Sequence, residues 1–267
     1  MSTGEDMQPR TRLVCAYVMT SDSGHAPNPF HDVCTLAICT PNHRRSRSKP
    51  GDWMIGLAGV EIRKKLGDRN IWRLVYAMHI DKKLDLDAYY RDPLFSAKIP
   101  KLNGSVVERV GDNFYRKDSL GRLSHTRETD EHRAPVPGTE IEKQDIDGNR
   151  VFAGQSYWYF GGNAPALPRG RQWVERLIAK FTLSARGIRY AYEDGAEVGN
   201  LWSDADLADF IAWLPASSGC LGNPIHPPQV DETDAECGGC HRTRKNSEDG
   251  SGKRRGTRSA SVPSCKN

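Results

Sequence analysis

Polar groups crowd one rigid stretch of this chain. Gly24-His25-Ala26-Pro27-Asn28-Pro29-Phe30 sets a histidine, an asparagine, two prolines and an aromatic together, just before the apolar run Val33–Cys39. Pro27 and Pro29 restrict the backbone on either side of Asn28, so its amide is held in a preset, extended orientation. That amide can donate and accept at once, which suits the edge of a base or a length of backbone. His25 beside it could orient a base or move a proton near neutral pH. The plainer alternative is an awkward crossing between strands, with Asn28 tied to backbone and His25 in solvent. Rigid loops on a scaffold are where function concentrates, so both readings stand.

Other groups could complete a site. Arg44, Arg45, Arg47 and Lys49 put four cations in six residues. Guanidinium forks match phosphate oxygens, although such contacts confer no sequence preference. A solvated charged loop is the ordinary alternative. Asp52, after Gly51, either caps a turn or serves as a general acid or base, and His125 is a second candidate for that role. Trp53 and Tyr157 lie in strand-like runs and could stack on a base. Core is the plainer reading for aromatics, and the one taken for Trp72 and Trp158. Asp112, Asn113 and Tyr115 follow the turn residue Gly111. His125 and His132 are seven apart, a spacing that defines no metal site. Cys237-Gly-Gly-Cys240-His241 has the form of a haem-attachment motif, yet its surroundings are polar and no second Cys pair follows. No metal site is assigned and the cofactor is unknown. Phosphate-loop, dinucleotide-fold, serine-hydrolase and zinc-protease motifs are all missing from the sequence.

These residues need elements to hold them. Arg12–Thr20, Val33–Cys39, Asp52–Val60, Ile71–Ile80 and Arg150–Gly161 read as strands, rich in β-branched and aromatic residues. Leu84–Phe95 reads as a helix with an Asp cap, ended or interrupted at Pro93. Arg171–Arg186 has a helical stripe of Trp173, Leu177, Ile178 and Phe181. Ser203–Leu214 is a third helix, stopped by Pro215. Lys117–Asn149 reads as a charged surface excursion. Strands early and helices late predict an α+β fold: a small, curved, mostly antiparallel sheet or partial β-barrel with flanking helices.

The chain has 267 residues, 37% hydrophobic and 27% charged, with a net charge of +4. Residues 1–11 read as a disordered N-terminus, 12–214 as one domain, and 215–267 as a disordered polar tail. The tail from Asp231 holds +2 of the charge and the body +2, so any basic surface must be local. The N-terminus lacks a signal-peptide layout and no run approaches the roughly 20 apolar residues of a membrane helix, which predicts a cytoplasmic protein with no membrane contact and mostly reduced cysteines.

Six segments in order carry a family resemblance: GHAPNPF, CTLAICTP, GDWMIG, LVYAMHI, YYRDPLFSAKIP and GDNFY. Together they resemble the nucleotide modification associated domain family, type two, from about Leu13 to Tyr115 and on through Tyr157–Gly161. The resemblance implies motif positions at His25, Asn28, Phe30, Thr35, Asp52, Asp92, Lys98, Asp112, Asn113 and Tyr115. It departs from the family pattern at Thr40 and His43. It implies a place in systems that make hypermodified DNA bases, with nucleotide or DNA, and other DNA-modification proteins, as partners. Similarity to the PUA-like group, whose members read flipped bases, is an analogy of fold. Three roles follow: an enzyme on a nucleotide or DNA base, with Arg44, Arg45 and Lys98 on phosphate; a non-enzymatic PUA-like reader of a modified base; or a structural, partner-binding protein.

Overall fold

The computed structural model describes residues 13–38, 46–101, 104–126, 140–183, 188–194 and 201–226. Arg44, Arg45, His132 and the Cys237–His241 motif lie outside these residues. So do residues 1–11, and residues 227–267 of the expected tail.

Strand β1 (Leu13–Met19) lies next to β3 (Trp53–Ala58), which pairs with β4 (Leu74–His79). They form the centre of a six-stranded sheet completed by β9 (Tyr157–Tyr159), β10 (Arg189–Glu193) and β11 (Gly219–Cys220). Its order is β10-β1-β3-β4-β9-β11, and the β1–β3 and β9–β11 pairs are parallel. A second, antiparallel sheet joins β2 (Cys34–Leu36), β8 (Val151–Gly154) and β5 (Lys82–Leu84) in the order β2-β8-β5. A hairpin of β6 (Tyr115–Lys117) and β7 (Leu123–His125) makes the third. The class is α+β as expected and most strand pairs are antiparallel, but the six-stranded sheet is mixed and the described residues close into no barrel.

Alternation along the strands builds the layers. Val14 and Ala16 of β1, with Trp53 and Ile55 of β3, face helices α5 (Gln172–Leu183) and α6 (Asp204–Trp213) in one apolar cluster. Cys15 and Met54 point the other way, into a cluster with Cys34, Leu36 and Phe152 of the second sheet. That sheet's far side, through Val151 and Ala153, packs on Leu86 and Tyr89 of α2 (Leu86–Arg91) and on Phe95, Phe114 and Tyr115. The order is helices, six-stranded sheet, three-stranded sheet, then α2 with the hairpin. Helices α1 (Val60–Lys65), α3 (Val106–Arg109) and α4 (Glu140–Gly148) and the 3₁₀ turns Pro93–Lys98 and Gly161–Asn163 complete the described elements. No helix among the described residues is long and apolar enough to cross a membrane.

Two expectations change. The single strand read over Arg150–Gly161 is two, β8 in one sheet and β9 in the other, with Gln155 and Ser156 at the crossing. Gly154 ends β8 against the His79 carbonyl, where no Cβ fits. The chain also goes on being ordered structure past Leu214. Leu221 donates its N–H to Tyr159 (2.7 Å), Asn223 accepts from Gly162 (2.8 Å), and Ile225 and His226 return to Asp22. Cys15 and Cys34 are buried free thiols, whereas Cys220 is disulfide-bonded.

Candidate functional site

The loop Gly24–Asp32 turns His25 and Asn28 inward and leaves His31 and Asp32 exposed. His25 is 5% exposed and Asn28 1%. His25 Nδ1 lies 3.0 Å from the Val110 carbonyl, which only accepts, so this nitrogen carries the proton. The ring stacks on Phe114 with centroids 5.9 Å apart. Asn28 Nδ2 donates to the same carbonyl at 2.8 Å. Asn28 and Thr35 exchange backbone hydrogen bonds of 2.8 and 2.9 Å, so the loop closes on its own exit. His31 and Asp32 stand between them with φ of 58°, a left-handed region that these residue types tolerate better than most.

Lys98 locks this closure. The 3₁₀ turn Pro93–Lys98, capped by the Asp92 carboxylate on Leu94 N at 3.0 Å, delivers its ammonium under the loop. Its three N–H groups donate to Asn28 O (2.9 Å), Asn28 Oδ1 (2.9 Å) and Val33 O (2.6 Å). Burial pushes Lys98 down to about 8, opposed by the nearby Asp112 carboxylate. The three acceptors favour the ammonium, because a neutral amine has only two N–H groups to offer. Lys98 is therefore a fastener whose three N–H groups all go to the protein, where a hold on phosphate was expected.

Parity on β2 puts Cys34 and Leu36 into the inter-sheet core and Thr35 on the opposite side, toward Asp112. Thr35 Oγ1 donates to Asp112 Oδ2 and Tyr89 OH to Asp112 Oδ1, each at 2.7 Å. Asn113 donates from Nδ2 to the Phe95 and Tyr89 carbonyls (3.0 and 3.3 Å) and from its backbone to Lys98 O (3.1 Å). Its Oδ1 finds no hydrogen bond. Tyr115 donates to Asp145 of α4 at 3.3 Å. The chain thus brings together His25, Asn28, Thr35, Lys98, Asp112 and Asn113 as one buried network, with Tyr115 in the apolar cluster beside it and Phe30, 5% exposed, packed over Gly24.

The remaining candidates do other work. Asp52 accepts Leu13 N on Oδ1 (2.9 Å) and Lys49 N on Oδ2 (2.8 Å), which stitches the turn before β3 to β1. These two bonds are the turn-capping contacts expected as one alternative for Asp52. Trp53 lies in the α5/α6 core, stacked on Trp158 at 5.7 Å, and is no exposed platform. Tyr157, 4% exposed, donates to Pro29 O at 2.7 Å and pins the loop from beneath. Both residues expected to stack on a base are buried. His125 stands opposite Tyr115 at the end of the hairpin away from its turn. Arg47, the last arginine of the basic run, grips Glu193 with two bonds (2.6 and 2.9 Å) and lies 4.3 Å over the Tyr190 ring.

Sequence reasoning missed a second polar centre. Asp22, 1% exposed, accepts from Tyr159 OH (2.7 Å) and from Ile225 N (3.2 Å). Burial pushes its carboxyl up to about 6. Tyr17 and Tyr76 share a 2.8 Å hydrogen bond in the same inter-sheet core. The only sequence signal for Asp22 was an acid directly after an apolar strand. Tyr89 was missed too, although an Asp-capped helix turns that position inward.

An α+β domain whose surface loop is nailed down by buried lysine and aspartate contacts is the class that fold and site define. The chain belongs to the nucleotide modification associated domain 2 family, whose match spans residues 11–226. No curated protein and no solved structure matches it.

Proposed function

We propose that this domain recognises a nucleotide, or a modified base in DNA, as a PUA-like reader within a cytoplasmic pathway that makes hypermodified DNA bases. Other DNA-modification proteins would be its partners. One observation carries this over an enzymatic role at the motif residues. The charged groups at the centre of the motif are consumed internally, with Lys98 spending three N–H groups and Asp112 both oxygens on the protein itself. Groups so committed shape a binding surface and leave nothing to attack a substrate.

A second reading has its own support. Asp22, with a carboxyl near 6 beside the Tyr159 hydroxyl, has the character of a proton-transfer group. One experiment separates the two. The full chain is titrated calorimetrically with mononucleotides and with DNA carrying plain or modified bases, and each mixture is assayed for product. Saturable binding without turnover is expected. Turnover that Asp22→Asn abolishes while binding persists would establish the enzyme reading, and a lack of heat with every ligand would overturn the reader.

A further inference from the structure

Beyond the buried network lies an open cleft of about 650 Å³ between α2 and the β6–β7 hairpin. Tyr90 and Arg91 form one wall; Arg116, Lys117, Ser119 and Ser124 form the other. We propose that this cleft is an anion site that takes the phosphate of a nucleotide, with the Tyr90 ring under its base or sugar. The inference rests on the reader proposal and gives it a location.

Charge comes first. The lining holds three cations and one acid, Asp118. That carboxylate is spent on its own turn, accepting from Leu120 N (2.8 Å), Arg122 N (2.9 Å) and Arg122 Nε (3.0 Å). Arg91 uses Nε on Asp87 Oδ2 at 2.9 Å, and its outer nitrogens make no hydrogen bond among the described residues. The Lys117 ammonium makes none there either. The Arg116 guanidinium lies 5.8 Å from the centre of the Tyr90 ring, so a cation and an aromatic face stand side by side. Guanidinium forks and an ammonium match phosphate oxygens, serine hydroxyls can add to them, and an aromatic face accepts any base. The volume is within the usual range for small-ligand sites.

The walls are also held in place, which a ligand site requires and an ordinary charged surface does not. Asp87 bridges them: its Oδ1 accepts Lys117 N at 2.7 Å while its Oδ2 holds Arg91. Underneath, Tyr89 precedes Tyr90 on α2 and is anchored to Asp112, three residues before Tyr115 on the hairpin strand. The buried motif residues are thus positioning residues for the cleft, and their inward orientation has a use. A basic patch could instead be only a solvated face. It would then show no preference for phosphate over chloride.

The test is calorimetry on the full chain with inorganic pyrophosphate, nucleoside 5′-monophosphates and a short single-stranded oligonucleotide. Wild type is compared with Arg116→Gln/Lys117→Gln, with Tyr90→Leu, and with the control Arg47→Gln on another surface. All substituted cation sites are exposed, and unchanged melting verifies folding. Expected are a tenfold or greater loss of pyrophosphate and nucleotide affinity in the double variant, no loss in Arg47→Gln, and loss of nucleotide but not pyrophosphate affinity in Tyr90→Leu. Tighter binding of the oligonucleotide than of the monomers would identify backbone phosphate as the ligand, and the reverse a free nucleotide. Nucleotide affinity unchanged in the double variant overturns the cleft and leaves the reader proposal standing. Pyrophosphate binding lost in that variant, with no nucleotide bound by any form, keeps the anion site and sinks the reader. Silence with every probe overturns both.

Discussion

His25 and Asn28 show what residue types can and cannot tell. Their capacity to hydrogen-bond was legible in the sequence; the direction in which they face was not. Both meet the Val110 carbonyl, more than eighty positions further on, and no local pattern announces that partner. Asp22 carries a consequence for pH. Burial holds its folded-state carboxyl near 6, against an ordinary value of 3.8. Below 3.8 both folded and unfolded chains are protonated, and this group favours folding most. As pH rises through 3.8 the unfolded chain releases its proton first, so stability falls until about 6 and then levels off. The loss from this one group is about 3 kcal/mol. Urea unfolding of wild type and Asp22→Asn from pH 4 to 7 should show it, with the variant gaining on wild type across that interval. Parallel profiles would mean that Asp22 is not protonated preferentially in the fold.

At the scale of elements, strong local chemistry was readable. Ser203 forms the capping box of α6 with Asp206, and Asp85 caps α2 on Ala88 N, where sequence placed both helix starts. The division of Arg150–Gly161 was not readable, because it is decided by which partners β8 and β9 find in two different sheets. The hairpin's turn and second strand likewise lay inside what read as a charged excursion from Lys117. Its strands are three residues each, too short for periodicity to register. Between α2 and this hairpin the Tyr89–Asp112 hydrogen bond is the buried tie. Tyr89→Phe leaves an Asp112 oxygen without that donor, which should cost about 1–3 kcal/mol in urea unfolding. It should also weaken pyrophosphate binding at the cleft, since the walls lose their common anchor. Weakened stability with untouched anion affinity would confine Tyr89 to the core.

For the whole molecule, the segment after Leu214 matters more than its composition promised. Turn residues and few apolar side chains read as the start of a disordered tail, yet it supplies β11, reaches Gly162 through the Asn223 carbonyl and closes on Asp22. Pro224 meets Gly24 there, whose φ of 77° and missing Cβ permit the approach. A chain ended at 214 should be less stable than one ended at 226 by about 7 kcal/mol, at roughly 1 kcal/mol for each of the seven hydrogen bonds lost, measured by urea unfolding of the two. The layering has one more effect, on light. All six tryptophans, Trp53, Trp72, Trp158, Trp173, Trp202 and Trp213, belong to or pack against the cluster around α5 and α6. Of nine tyrosines only Tyr192 joins them there; Tyr89 and Tyr115 mark the opposite layer and Tyr90 the cleft. Emission excited at the red edge of the indole band therefore reports one half of the protein. A ligand in the cleft would leave that signal dark to its arrival, and only the tyrosine half of the spectrum stands close enough to see it.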